Sequence, residues 1–248
     1  MKHKNWTREE LIVAFNLYLK IPFSKINYHH PLIQQLANVL GRSPSAVAWK
    51  LANFASLDPT LRERNIKGAS NASKLDRIVF EEFYYDWGSL MEESEIAYNS
   101  LINKESEKEG LIAKGEYVER IAKVRVNQSL FRDMILASYE YKCCVTGISI
   151  SKLLVASHII PWAKDEKNRL NPSNGLCLNA FHDKAFDCGL MTLDEDYRIV
   201  FSSEIHNEIA NDYIKHFMLD FEGNRIIMPH RFLPNPIFLE YHRNNIFR

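Results

Sequence analysis

The chain has few cysteines, no net charge and no long apolar run. Its 248 residues contain four cysteines, with no C-x-x-C pair, and 31 basic residues against 31 acidic ones. These features argue against a disulfide scaffold, a zinc site built from cysteine pairs and a uniformly basic nucleic-acid-binding protein. No apolar segment approaches the roughly 20 residues that cross a bilayer, and the opening MKHKNWTREEL lacks the pattern of a secretory signal. We therefore expect a cytoplasmic protein with reduced thiols and no membrane contact.

Hydrophobic periodicity divides the chain into a helical part and a mixed part. Hydrophobic residues make up 46% of the chain, enough for a substantial core. Apolar residues at helical spacing predict helices in the first part, and short apolar runs bounded by turn residues predict strands in the second. We predict an α+β protein with a helical domain over residues 1–90, a charged linker over 91–116 and a second domain over 117–248. Basic residues exceed acidic ones over 111–132, where a phosphate backbone could be bound.

Two short predicted helices on either side of Gly41 form a helix-turn-helix pattern. Ser43 is a suitable N-cap for the second helix, and Pro44 suits its first position. The second helix of such a motif can lie in the DNA major groove. We predict that four exposed residues of this hairpin contact DNA: Arg42, Ser45, Lys50 and Asn53. Most short helical hairpins contact no DNA, so a purely structural hairpin is the open alternative.

Three polar residues stand out on a predicted strand, loop, strand and helix in the second domain. His158 ends the first strand, Asn174 opens the second, and His182 lies in the helix. Two strands and a helix folded together can bring these residues to one concave point. Each alone is most simply a structural residue, and the ordered combination is what indicates a site.

The run SHIIPW, followed after a loop by NPSNGLCLNAFHDKAFDCGL, resembles the HNH, or ββα-metal, nuclease superfamily. The likeness covers about residues 125–203, and it is strongest to bacterial restriction and anti-phage endonucleases. It implies a C-terminal ββα-metal nuclease domain that hydrolyses DNA with a divalent metal ion. It further implies that His158 is the general base, Asn174 holds the loop and orients the base, and His182 binds the metal. A neutral imidazole is well suited to take a proton from water near neutral pH.

One position departs from the family pattern. Many relatives have Asp or His as a metal ligand directly before the general base, and this chain has Ser157 there. The nearest carboxylates, Asp183 and Asp187, are therefore candidate ligands. Mg²⁺ or Mn²⁺ suits an oxygen-rich site, and Zn²⁺ or Ni²⁺ suits a histidine-rich one. Arg132 is predicted to bind phosphate at the catalytic site, and Arg125 is a further candidate for DNA contact.

The leading functional hypothesis is an HNH-type endonuclease acting on double-stranded DNA in restriction or antiviral defence. A single-site nuclease that cuts both strands suggests a homodimer. A mobile-element nuclease and an RNA-cleaving enzyme are lesser alternatives. The rival from another class is a non-catalytic DNA-binding regulator in which zinc is held by His182 and cysteines.

Overall fold

The structure, a computed structural model, describes residues 5–64, 66, 69, 71–106 and 129–248. The chain divides into two compact units, Met1–Asp133 and Met134–Arg248. The predicted domain limits at residues 90 and 117 stay predictions, since a helix continues past the first and the second lies outside the described residues. Within the described ranges, every helix is too short or too polar to cross a lipid bilayer.

The described part of the first unit is helical. Its main helices are α1 (Arg8–Lys20), α2 (Pro31–Leu40), α3 (Pro44–Leu57), α4 (Pro59–Glu63), α5 (Lys74–Phe83) and α6 (Trp87–Ser106). The helix α1 begins with a capping box: Thr7 Oγ1 accepts from the Glu10 backbone N–H at 3.3 Å, and Glu10 Oε2 accepts from the Thr7 backbone N–H at 2.9 Å. The core of the unit surrounds Phe15, whose ring lies 5.0 Å from that of Phe54 and 5.3 Å from that of Phe80.

The helical hairpin of α2 and α3 turns at Gly41 and has Ser43 as the N-cap of its second helix, as predicted from the sequence. Gly41 ends α2 with a φ of 57°, a left-handed conformation that glycine adopts without steric cost. Ser43 Oγ then accepts a hydrogen bond from the Ala46 backbone N–H at 3.2 Å and caps α3. The hairpin is thus a stable local unit. Its contact with DNA is a separate prediction that these caps do not address.

The prediction that Lys50 and Asn53 are exposed on α3 is wrong. Only 7% of Lys50 and 4% of Asn53 is exposed, because α3 packs against α1, α2 and α5 and has little free surface. The ammonium group of Lys50 lies 2.8 and 2.9 Å from the two carboxylate oxygens of Asp76, which is itself fully buried. Lys50 therefore serves the core of the first unit, and neither residue presents its side chain to a DNA backbone.

Arg42 and Ser45 have different surroundings. The Arg42 guanidinium contacts the carboxylate of Glu10 at 2.7 Å and lies over the Trp6 ring at 4.2 Å, so it is also less available than the sequence suggested. Ser45 is exposed on the first turn of α3. Of the four predicted DNA contacts, Ser45 alone has the predicted open position.

The second unit contains two separate β-hairpins among its described residues. Its elements are α7 (129–138, which begins in the first unit), β1 (Leu154–His158), β2 (Gly175–Asn179), α8 (Ala180–Asp187), β3 (Met191–Leu193), β4 (Ile199–Phe201), α9 (Ser203–His206), α10 (Asp212–Phe217) and α11 (Pro236–Asn245). The strands β1 and β2 are antiparallel, with Leu154 opposite Asn179 and His158 opposite Gly175. The helix α8 follows β2 directly and packs on β1 and β2, which gives the predicted order of two strands and a helix.

Two predicted elements of the C-terminal part take another form. A single helix was predicted over 205–216, but Asn211 Oδ1 accepts from the backbone N–H groups of Tyr213 and Ile214 and starts α10 as a new helix. A strand was predicted over 225–228. Among the described residues, this segment forms no regular strand, and its pairing with the rest of the unit includes an isolated bridge between Arg225 and Arg198.

Candidate active site

A 16-residue loop, 159–174, joins β1 to β2 and is held mainly by Asn174. This residue is 1% exposed. Its Oδ1 accepts from the Ile160 backbone N–H at 2.8 Å, and its Nδ2 donates to the carbonyls of Ile160 at 3.2 Å and Asn168 at 3.3 Å. Asn174 therefore fastens the start and the middle of the loop to its end, which is the loop-holding part of its predicted role.

Other amide side chains stabilise the interior of this loop. Asn168 Nδ2 donates to Asp165 Oδ2 at 2.7 Å, and Asn171 Nδ2 donates to Asn168 Oδ1 at 2.9 Å. Local bonds of this kind replace the ladder bonds that a strand would make. The loop thus has a defined shape although it contains no regular secondary structure beyond a short 3-10 turn, Pro172–Asn174.

The shaped loop places a carbonyl group against His158. His158 Nε2 lies 3.0 Å from the Arg169 backbone oxygen. A carbonyl only accepts hydrogen bonds, so Nε2 carries the proton and the basic lone pair is on Nδ1. The Trp162 ring makes an edge contact with the imidazole, at 5.5 Å between centroids and 86° between planes. Burial lowers the pKa of His158, while the bond to the Arg169 carbonyl opposes this in part. Burial therefore favours the neutral ring, which is the form that a general base requires.

Two carboxylates lie on one side of α8. Asp183 and Asp187 are four positions apart, which places them on the same helix face. Burial raises the pKa of both, and the negative charge of Asp183 raises the pKa of Asp187 further. Ser157, the residue before His158, lies near enough to lower the Asp183 pKa through a hydrogen bond, although its buried Oγ has no partner of good geometry. The chain neighbour of His158 thus connects β1 to this carboxylate pair.

His182 lies in a different environment from the carboxylates. Its ring is 0% exposed, and its Nδ1 accepts from Asn179 Nδ2 at 2.9 Å. The orientation of the Asn179 amide is fixed, because its Oδ1 accepts from the Phe181 and His182 backbone N–H groups at 3.0 Å each and caps α8. The proton of the neutral ring is then on Nε2, which is buried without a hydrogen-bond partner of good geometry. Burial lowers the His182 pKa, and the nearby Phe217 backbone opposes this in part.

This arrangement bears on the predicted metal site. Among the described residues no group of three or more His, Cys, Asp and Glu side chains could hold an ion. The donors present are the oxygens of Asp183 and Asp187, with the Ser157 hydroxyl close to Asp183. That set fits Mg²⁺ or Mn²⁺, which are commonly held by one or two carboxylates together with water and substrate phosphate oxygens. It does not fit a histidine-rich Zn²⁺ or Ni²⁺ site, because His182 Nδ1 accepts from Asn179 and the other ring nitrogen, Nε2, then carries the proton.

The two predicted phosphate-binding arginines stay predictions. Arg132 is a half-buried residue of α7. Arg125 lies outside the described residues.

Sequence reasoning missed three residues that shape this site. The carbonyl of Arg169 and the ring of Trp162 surround His158, and Asn179 caps the helix that carries the carboxylates. An asparagine directly before a helical run is a recognisable N-cap signal, so Asn179 could have been identified. A backbone carbonyl has no sequence signal, because every residue carries one.

One comparison with known proteins agrees with this order of elements. A family model described as HNH endonuclease matches residues 143–194, which is 52 of the 248 residues. The matched segment contains β1, β2, α8 and β3, and with them His158, Asn174 and both carboxylates. No match to a curated protein was found for the chain. The C-terminal half of this chain therefore contains an HNH endonuclease domain.

Proposed function

We propose that this protein is a metal-dependent DNA endonuclease that hydrolyses phosphodiester bonds. The proposal is carried by two features of neighbouring elements: an oriented imidazole at the end of β1 and an acidic face on α8, the helix that packs on β1. His158 is fixed by the Arg169 carbonyl at 3.0 Å. Its chain neighbour Ser157 lies against Asp183, which shares a face of α8 with Asp187. A base and a cation-binding pair on adjoining elements suit the attack of water on an anionic phosphate.

His158 is the proposed general base. Its Nδ1 lone pair takes a proton from the attacking water, while Nε2–H stays bonded to the Arg169 carbonyl. That carbonyl stabilises the imidazolium as it forms, because the bond strengthens when its donor becomes charged. Asn174 acts through the loop: by fastening Ile160 and Asn168 it keeps the carbonyl in place. It is a positioning residue in this scheme.

Asp183 and Asp187 are the residues that would hold a divalent metal ion. When bound, such an ion supplies Lewis-acid stabilisation of the negative charge on the phosphate and the leaving oxygen. Two carboxylates four positions apart on a helix, with raised pKa values, are suited to gain a cation, since it relieves their mutual repulsion. The predicted ligand His182 is not part of this proposal, because its Nδ1 accepts from Asn179 and its Nε2 therefore carries the ring proton.

The wider biological role rests on the sequence resemblance. We propose that the nuclease serves restriction or phage defence and cuts both strands as a homodimer, with the N-terminal helical unit binding DNA. The open position of Ser45 at the start of α3 is compatible with this. The burial of Lys50 and Asn53 moves any DNA contact away from those two side chains.

A zinc-stapled, non-catalytic DNA-binding regulator is the second candidate. One observation favours examining it: Cys143 Sγ lies 3.7 Å and His182 Nδ1 lies 2.9 Å from the same atom, Asn179 Nδ2. The amide nitrogen, however, donates hydrogen bonds at the point where a cation would have to sit. Thr146 Oγ1, at 3.4 Å, completes this cluster, so the cluster offers one thiol and one imidazole as strong zinc ligands.

A plasmid-nicking assay tests the proposal. Supercoiled DNA is incubated with the full chain and Mg²⁺, Mn²⁺, Zn²⁺ or Ni²⁺, and nicking is expected with Mg²⁺ or Mn²⁺. His158→Ala is expected to lower the rate at least about 100-fold, and Asp183→Asn to raise the metal concentration needed. His206→Ala, which alters an exposed histidine bonded to Glu222, is the matched control and should nick at the wild-type rate.

The results separate the candidate functions. Equal rates for wild type and His158→Ala would refute the assigned base. Complete inertness of the wild type in every metal, on modified as well as plain DNA, would favour the regulator. If the protein cleaves RNA and not DNA when RNA is tested under the same conditions, the proposed substrate is wrong but the assigned catalytic residues still stand.

A further inference from the structure

We infer that the guanidinium of Arg169 binds a DNA phosphate close to the one that is cut. The inference rests on the proposed nuclease function and names a substrate contact for that site. Arg169 already touches the candidate base through its main chain, where its carbonyl accepts the His158 Nε2 proton. One residue would thereby join the base to the bound substrate.

The Arg169 side chain is held on two sides. Its Nε donates to the Trp162 carbonyl at 2.8 Å, and its central guanidinium carbon lies 5.4 Å from the centre of the Trp162 ring. Both contacts fix the plane of the guanidinium. A planar fork in a fixed orientation is well suited to a phosphate oxygen pair, because little rotamer freedom is lost on binding.

This cation lies close enough to the candidate base for both to contact the same DNA strand. The centre of the Trp162 ring lies 5.5 Å from that of the His158 ring and 5.4 Å from the guanidinium carbon of Arg169. The guanidinium carbon therefore lies no farther than about 11 Å from the imidazole centre, a distance that covers only the first few phosphates of one strand, each of which rises about 3.4 Å along the helix axis. A phosphate at or beside the scissile position is within that reach.

The present partner of the guanidinium is easily exchanged. Nη1 lies 3.1 Å from Glu166 Oε1, and the Glu166 side chain is 87% exposed. Exposed ion pairs of this kind contribute little to stability. Within the described ranges Nη2 has no hydrogen-bond partner. A DNA phosphate can thus displace Glu166 without disturbing the contacts to Trp162.

Two lysines in the same loop allow the effect of a fixed cation to be compared with that of a freely moving one. Lys164 and Lys167 are exposed residues of the same loop and carry the same charge. Nothing fixes the direction of their ammonium groups among the described residues. If DNA senses only the net charge of the loop, removal of any one of these cations has the same effect. If the built geometry matters, Arg169 differs from both.

The experiment measures DNA affinity apart from cleavage. Binding of a short labelled duplex to the full chain is followed in EDTA over a range of salt concentrations, and nicking is measured separately with Mg²⁺. Arg169→Gln is expected to raise the Kd about five- to tenfold, to lower the salt slope by about one and to raise KM. Arg169→Lys should restore the salt slope but not the full affinity, because it lacks the planar fork. Lys164→Gln should change the Kd less than twofold.

The outcomes distinguish the inference from the proposed function. If the wild type nicks DNA and Arg169→Gln has the same Kd and KM as Lys164→Gln, the phosphate contact of Arg169 is refuted. The proposed nuclease function is not affected by that result. A wild type that never nicks, with Arg169→Gln still binding more weakly, would overturn the nuclease and keep the phosphate contact. If Arg169→Gln does not fold, Glu166→Gln decides. It removes the competing carboxylate and is expected to tighten binding about twofold, and unchanged or weaker binding would refute the contact.

Discussion

Replacing Asn174 by alanine is the sharpest test of how the loop supports the site. The substitution removes three side-chain hydrogen bonds, to the Ile160 N–H, the Ile160 carbonyl and the Asn168 carbonyl, in a place where 1% of the residue is exposed. Each such bond contributes about 1 kcal/mol, and a buried group left without a partner costs about 1–3 kcal/mol. We expect Asn174→Ala to lower the free energy of unfolding of the second unit by about 3–4 kcal/mol.

Hydrogen exchange with mass spectrometry measures this loss in the full chain. Peptides that cover β1 and β2 should exchange faster in Asn174→Ala, and peptides that cover α1 to α3 should not change. Nicking should also slow, because a loosened loop no longer holds the Arg169 carbonyl against His158.

Asn245→Ala is the matched control, since Asn245 is exposed and makes one bond, from Nδ2 to the Tyr241 carbonyl at 2.8 Å. Its effect should stay within about 0.5 kcal/mol. Equal exchange rates for the Asn174 and Asn245 variants would refute the idea that buried amide bonds shape this loop.

Three further predictions concern stability. Burial lowers the pKa of His242 to about 4, against about 6.5 in an unfolded chain. Between these two pKa values the unfolded state binds more protons than the folded state. The contribution of His242 to the free energy of unfolding is therefore complete above about pH 6.5 and falls by about 3 kcal/mol towards pH 4. Urea unfolding at pH 7.5 and 4.5 should show a larger loss of this free energy for wild type than for His242→Gln. Lys50→Met leaves the Asp76 carboxylate buried without its cation and should cost about 3–5 kcal/mol in the same assay, and a loss below 1 kcal/mol would contradict the buried ion pair. Gly189→Ala should cost about 3 kcal/mol by thermal unfolding, because φ at this residue is +75° and an added Cβ would meet the Ile246 carbonyl; an unchanged Tm would show that the C-terminal segment moves aside.

The sequence was most informative where a local pattern decides a local structure. The capping box of Thr7 and Glu10 and the break at Gly41 depend on residues a few positions apart, and both are present. The order of β1, β2 and α8 was predictable for the same reason, since apolar runs and turn residues mark each element. The helix predicted over 205–216 failed because the capping preference of Asn211 outweighed a continuous apolar pattern.

Residues whose environment depends on distant segments were predicted less well. Lys50 was taken as exposed because lysine usually is, and nothing near it in the chain announces that Asp76 lies 2.8 Å away. At the site, His182 and Asp183 are adjacent in sequence. Each helical residue is rotated by about 100° from the one before it, so the His182 ring is buried while the Asp183 carboxylate lies on the acidic face of α8. Sequence spacing alone did not fix which of the two meets Ser157.

The atom that sets the tautomer of His158 belongs to the main chain, and this determines which genetic changes the site can tolerate. A substitution at position 169 alters the side chain and leaves the oxygen in place, so no single codon change deletes that contact. An insertion or deletion of one residue between Ile160 and Asn174 would shift the oxygen along the loop and release the imidazole. The length of this segment is therefore expected to be under tighter selection than the identity of most of its residues.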